Sequence, residues 1–116
     1  MSEHSQAFER QMQAVRMQYQ SRLGLEIQAL GEYLKCLQGG QGRHMLGESR
    51  ALLHRMAGSA GTFGMEQLGR QAAQLEDLLT PYVTSERLPD DGQLQSLLLA
   101  YQALRAASVS SRRSSD

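Results

Sequence analysis

The chain has 116 residues, a length typical of one small domain, and its 12 basic and 12 acidic side chains cancel to a formal net charge of zero. A neutral chain with 5% aromatic residues has neither the electrostatic attraction nor the stacking surfaces that nucleic-acid binders use, and it has no strong attraction to anionic lipid. No apolar run approaches the length of a membrane span, no signal-peptide pattern is present, and the single Cys36 cannot form an internal disulfide, so we expect a cytoplasmic protein.

The first third of the chain has the periodicity of amphipathic helix. After a polar start, apolar residues recur every three or four positions and predict a core-facing stripe, which is formed by Phe8, Met12, Val15, Tyr19, Leu23, Ile27, Leu30, Leu34 and Leu37. The stripe could belong to one long helix, but Gly24 favours a bend or a break between two. Residues 38–43 contain three glycines and should form the loop that ends this region.

Three more helices are predicted in the rest of the chain. The central one should begin between residues 45 and 48 and end near Thr62. The next should run from about residue 65 to residue 80, with Pro81 at its end or in a last distorted turn. The last should be capped by Asp90 or Asp91.

These segments predict an all-α protein, a four-helix bundle with an additional N-terminal helix or a lengthened first one. We assign residues 1–107 to this single domain. Residues 108–116 are rich in serine and arginine without a core pattern, so we expect a disordered C-terminal tail.

The central helix carries a histidine with small neighbours. His54 lies about 100° from Leu53, at or beyond the edge of the apolar stripe of this helix. One or two turns away the helix has Ala51, Gly58 and Gly61, which leave the imidazole uncovered. Glycine inside a helix lowers the stability by roughly 1 kcal/mol relative to alanine, so the two glycines should have a compensating role. Access to His54 and close helix packing explain them equally well at this point.

This segment resembles the signature of histidine phosphotransfer domains, the HPt modules of phosphorelays. The residues that match the family pattern are His54, Met56, Gly58, Ser59, Ala60, Phe63 and Gly64. The chain departs from the pattern at Ala57, where many members carry lysine. The glutamate or glutamine that faces the histidine in this family falls on Glu76, which an antiparallel helical hairpin would return to the level of His54.

The resemblance implies that His54 accepts a phosphoryl group through Nε2 while Glu76 orients the ring through Nδ1. Because Ala57 carries no charge, the cation that balances the phosphoryl group should come from elsewhere, and Arg50, Arg55 and Arg70 are the candidates. Ser59 could donate a hydrogen bond near the phosphoryl group or could be a small packing residue. The remaining docking surface should be formed by Ala51, Gly58 and Gly61.

The implied function is that of a phosphoryl carrier and not of an enzyme. The chain has no nucleotide-binding motif, and its three histidines lack the spacing of a metal site, so we expect no cofactor and no metal on this chain. The implied partners are receiver domains, which bring Mg²⁺ and a phospho-aspartate, and a hybrid sensor histidine kinase. We expect a monomer. The alternative is a helical interaction module in which His54 does no phosphoryl chemistry.

Overall fold

The computed structural model describes residues 3–85 and 87–114, and all regular structure within these two ranges is helical. The chain has four α-helices: α1 (Glu3–Gln38), α2 (Leu46–Ala60), α3 (Glu66–Ser85) and α4 (Asp91–Ser114). Short 3₁₀ turns precede and follow α2, at Arg43–Met45 and Gly61–Phe63. The predicted all-α bundle of four helices is therefore confirmed.

The N-terminal region is one continuous helix of 36 residues, so the expected additional helix is absent from the described residues and α1 is a lengthened first helix. Gly24 does not break it, because one glycine inside a helix costs only about 1 kcal/mol. The predicted core stripe was wrong in its first part: Phe8, Met12 and Val15 are 63%, 40% and 44% exposed. Burial begins at Tyr19, where the other helices first reach α1.

The core lies between the four helices and consists mainly of leucine. Eight leucines are almost completely buried, two on α1, one on α2, three on α3 and two on α4: Leu23, Leu30, Leu53, Leu68, Leu75, Leu79, Leu97 and Leu104. Burying each such side chain stabilises the fold by about 1.5–3 kcal/mol. Within the part of the chain that the structure describes, no helix has the length and apolarity that crossing a membrane requires.

A half-buried tyrosine joins α1 to α4. The Tyr101 hydroxyl donates a hydrogen bond of 2.9 Å to the Ile27 carbonyl oxygen, and burial raises the pKa of Tyr101, which keeps the donor protonated. Gly31 provides the space for this contact, because a Cβ there would lie 2.5 Å from the Tyr101 hydroxyl oxygen.

Helices α2 and α3 form an antiparallel hairpin, and this pair places the functional site. Gly64 has φ of 73°, a left-handed conformation that glycine adopts without steric cost, and the Met65 amide then donates to the Ala60 carbonyl at 2.8 Å. The helices approach closely at Gly69, where a Cβ would lie 3.4 Å from the Ala57 carbonyl oxygen. The hairpin returns the middle of α3 to the level of the middle of α2.

Helix α3 continues four residues beyond Pro81, which the sequence placed at its end or in a last distorted turn. Proline has no amide to donate, so the turn loses one backbone hydrogen bond. Side-chain hydroxyls bond to nearby carbonyls in the same turns: Thr80 donates to the Glu76 carbonyl at 2.8 Å and Ser85 to the Pro81 carbonyl at 2.6 Å.

Helix α4 begins with a reciprocal cap. The Asp90 carboxylate accepts from the Gln93 amide at 2.8 Å, and the Asp90 amide donates to the Gln93 side chain at 2.9 Å, so Asp90 is the cap. The helix continues to Ser114, and Ser108, the first residue of the expected tail, is only 5% exposed. Serine is small enough to fit beside the buried Ala107 on this face. Residues 115 and 116 lie outside the described residues.

Candidate functional site

His54 projects from the middle of α2 into solvent and is held from one side by α3. Its side chain is 78% exposed, and its Nδ1 atom lies 3.0 Å from Oε2 of Glu76, whose side chain is 20% exposed. The position of His54 on the outer face of α2 follows from the helical period, since Leu53 and Met56 on either side of it are buried. The predicted contact between His54 and Glu76 is present.

This contact selects one tautomer of the imidazole. An ionised carboxylate can only accept hydrogen bonds, so with Glu76 ionised the Nδ1 atom of His54 carries the proton and donates a hydrogen bond to Oε2 of Glu76. The lone pair of the neutral ring then lies on Nε2, for which the described residues provide no hydrogen-bond partner. The site therefore presents an oriented nitrogen nucleophile at the protein surface.

Three of the residues around His54 are small and leave open space beside it. Ala51, Gly58 and Gly61 are exposed, and a Cβ added at either glycine would have no heavy atom within 4 Å beyond the local helix. Close helix packing therefore does not account for Gly58 or Gly61, in contrast to Gly69 on α3. The remaining explanation for Gly58 and Gly61 is the access that they give to the imidazole.

The three candidate arginines differ in their relation to His54. Arg50 is half-buried one turn before His54, and Arg55 follows His54 and is exposed. Arg70 is 72% exposed, forms an ion pair of 3.7 Å with Glu66, and is six residues or about 9 Å of helix away from Glu76. The structure thus keeps Arg50 and Arg55 near the imidazole and places Arg70 towards the start of α3.

Ser59 does not face the imidazole with a free hydroxyl. Its Oγ lies 2.9 Å from the Tyr19 hydroxyl and donates at 3.4 Å to the Met56 carbonyl, so it acts as a packing residue between α1 and α2. Tyr19 also stacks on Phe63, with ring centroids 4.1 Å apart and 13° between the planes. This contact fixes the end of α2 near the site. The sequence indicated that both rings are apolar stripe residues, but it contained no signal for their stacking.

Within residues 3–85 and 87–114 there is no group of three histidine, cysteine or acidic side chains that could hold a metal ion. His4 and His44, both exposed, lie on α1 and on the 3₁₀ turn before α2, on different elements from His54. The two side chains that meet at His54 are one imidazole and one carboxylate.

Comparison with known proteins identifies one matching family. The family model described as "Hpt domain" matches residues 6–107, which include all of α2 and α3 and most of α1 and α4. No curated protein and no solved structure shows significant similarity to the chain. The match covers most of the sequence and includes both His54 and Glu76. The chain therefore belongs to the Hpt domain family, the phosphotransfer modules of two-component signalling.

Proposed function

We propose that this protein is a cytoplasmic phosphorelay intermediate that carries a phosphoryl group on His54 between receiver domains. The donor is the phospho-aspartate of one receiver, such as that of a hybrid sensor histidine kinase, and the acceptor is the aspartate of another. The single observation that carries the proposal is the exposed imidazole whose Nδ1 lies 3.0 Å from the Glu76 carboxylate. An interaction module would also use an open surface, but it would not need an oriented imidazole ring.

In the transfer step, the Nε2 lone pair of His54 attacks phosphorus and forms a P–N bond, and the P–O bond to the donor aspartate breaks. The aspartate leaves as a carboxylate and takes the bonding electron pair. The ring keeps its Nδ1 proton, and the positive charge that develops on it is stabilised by Glu76. The reverse reaction on another receiver restores neutral His54. Mg²⁺ is expected on the receiver, and this chain provides the nucleophile and the docking surface.

The proposal is tested by phosphoryl transfer from a panel of phosphorylated receiver domains and receiver-bearing kinases. We expect rapid labelling of the protein by at least one donor, and the label should be lost in acid and stable in base, as a phosphoramidate is. A chain that is folded by circular dichroism but is labelled by no donor would favour the interaction module instead.

Glu76 is expected to set the rate of transfer through the tautomer of His54. Glu76→Ala should lower the transfer rate roughly 10- to 100-fold, the loss seen when the partner that orients a metal-bound imidazole is removed, because Glu76 orients the His54 ring in the same way. Glu76→Gln should have a smaller effect, since its amide oxygen still accepts a hydrogen bond from Nδ1. Single-turnover transfer from one receiver measures both rates.

A spectroscopic readout separates this positioning role from a structural one. The ¹⁵N chemical shifts of the His54 ring should show the Nδ1–H tautomer in the wild-type protein and a mixture of tautomers in Glu76→Ala. Asp77→Ala is the matched control, because Asp77 is the adjacent exposed carboxylate on α3. Loss of transfer in Glu76→Ala with an unchanged tautomer would contradict the orienting role.

The helical geometry favours Arg50 as the cation that balances the phosphoryl group. Arg50 lies four residues before His54 and about 40° round the helix, on the same side as Ala57, which lies three residues after it. This is the side that faces α3, because the Ala57 carbonyl approaches Gly69. Arg55 lies about 100° round on the opposite side. Arg50 therefore flanks the imidazole on the side where many family members carry a lysine.

Arg50→Gln should shorten the lifetime of phosphorylated His54 about two- to five-fold, the range expected from losing one partly exposed charge pair. Arg55→Gln is the matched control and should change the lifetime less than this. Ala57→Lys should restore the lifetime in the Arg50→Gln background. Labelling with phosphoramidate followed by ³¹P NMR measures the decay without any receiver. Equal lifetimes for Arg50→Gln and the wild type would exclude Arg50 from this role.

A further inference from the structure

The first part of α1 extends beyond the bundle. All sixteen residues from 3 to 18 are exposed, whereas Tyr19 is 4% exposed and begins the buried part of the helix. These sixteen residues form about 24 Å of helix without cover from α2, α3 or α4. An isolated helix of this length is marginally stable in water, so a covered apolar face would stabilise it.

This projecting segment has an apolar seam. Phe8, Met12 and Val15 follow one another at separations of four and three residues, the spacing of helices that pair side by side. The seam continues directly into the buried stripe that starts with Tyr19. The face of α1 that packs on the bundle from residue 19 onwards is therefore uncovered between residues 8 and 15.

The shape of the chain restricts how a second copy could cover this seam. The bundle of each copy packs on the seam side of its own α1. In a parallel pair with facing seams, both bundles would therefore lie at the same end of the pair and would occupy the same space. In an antiparallel pair, the bundles lie at opposite ends, and the exposed residues 6–18 of each copy can lie side by side. The midpoint between residues 8 and 15 lies within one residue of Met12. In an antiparallel pair centred near Met12, each Phe8 would therefore lie opposite Val15 of the other copy.

The charges beside the seam match the same arrangement. Glu9 and Arg16 lie on the same edge of the seam. Their positions are rotated about the helix axis by about 60° and 40° from Met12, in the same direction. They are seven residues apart, too far to pair within one helix, and neither forms an ion pair with another described residue. Their midpoint is also within one residue of Met12. Equivalent edges meet in an antiparallel pair, so Glu9 of each copy would lie beside Arg16 of the other, and two ion pairs would form.

We infer that the exposed N-terminal part of α1 binds a second copy of this chain, as an antiparallel helix pair centred near Met12. This changes the expectation of a monomer and does not depend on the phosphotransfer role. Three apolar side chains per copy form a small seam, so the dissociation constant should be roughly 10–100 µM, since association must also offset the lost rotational and translational freedom.

Sedimentation velocity of the full chain between about 5 and 500 µM, a range that spans this constant, measures the dimer. We expect a concentration-dependent dimer in the wild type and a monomer in Met12→Glu, because a charge would then be buried at the centre of the seam. Glu9→Arg alone and Arg16→Glu alone should each weaken the dimer about ten-fold or more, since two ion pairs become two like-charge contacts.

The paired charges allow two matched controls. The double variant Glu9→Arg with Arg16→Glu should dimerise like the wild type, and a mixture of the two single variants should form heterodimers. A monomer at the highest concentration would overturn the inference, as would dimers that none of these substitutions affects. Protection of residues 8–15 from hydrogen exchange in a monomer would also overturn it, because the segment would then be covered by its own bundle.

Discussion

Replacing His54 by glutamine is expected to abolish phosphoryl labelling while leaving the fold intact. Glutamine is similar in size and can still bond to Glu76, but its amide nitrogen has no lone pair available to attack phosphorus. Because the His54 side chain is 78% exposed, the free energy of unfolding should change by no more than about 0.5 kcal/mol. Labelling by a phosphorylated receiver and urea denaturation measure the two effects.

The two other histidines provide matched controls for this prediction. His4 and His44 are exposed, and neither contacts Glu76, so His4→Gln and His44→Gln should be labelled at the wild-type rate. Acid-labile label that persists in His54→Gln and disappears in one of these controls would place the phosphoacceptor elsewhere. Labelling of all three variants would show that the phosphoryl group is not carried on a single histidine.

Substitution of Gly58 by glutamine is expected to stabilise the protein and to impair its function. Gly58 is exposed inside α2, and an added Cβ meets no heavy atom within 4 Å beyond the local helix, so a good helix former there should raise the stability by about 0.5–1 kcal/mol. The longer side chain would stand beside His54 and obstruct a docking receiver. We expect transfer from a receiver to slow about ten-fold or more, the cost of a misplaced interface contact of 1–2 kcal/mol.

Two comparisons separate docking from chemistry in this variant. Gly58→Ala should gain the helix stability without the bulk, and it should transfer at close to the wild-type rate. Phosphoramidate, which is small enough to reach the ring, should label Gly58→Gln and the wild type equally well. A Gly58→Gln variant that accepts a phosphoryl group from a receiver at the wild-type rate would contradict the role of this surface in docking.

The hairpin shows how far the local pattern predicts the site. The 3.6-residue period placed Leu53 and Met56 inward and His54 outward, and the structure has them so. The contact with Glu76 required one further assumption, that α2 and α3 are antiparallel and in register. Once Gly64 reverses the chain, the sequence separation of 22 between His54 and Glu76 brings them to the same level.

The N-terminal helix shows where the local pattern fails. Phe8 and Leu23 have the same apolar spacing along α1, but Phe8 is 63% exposed and Leu23 is 1% exposed. Periodicity identifies which face of a helix is apolar, and it contains no information on how far the other helices extend. Ser59 is a similar case, because its hydroxyl partner Tyr19 is 40 residues away in the sequence.

The sequence by itself determined the helical class, the outward position of His54 and the small side chains around it, because these depend on residue type and on the period of a single helix. The tertiary structure decided how closely Glu76 approaches Nδ1, how Ser59 is held by Tyr19, and which part of the α1 stripe is buried. These features depend on distances between helices, and such distances are set by the packing of the whole core.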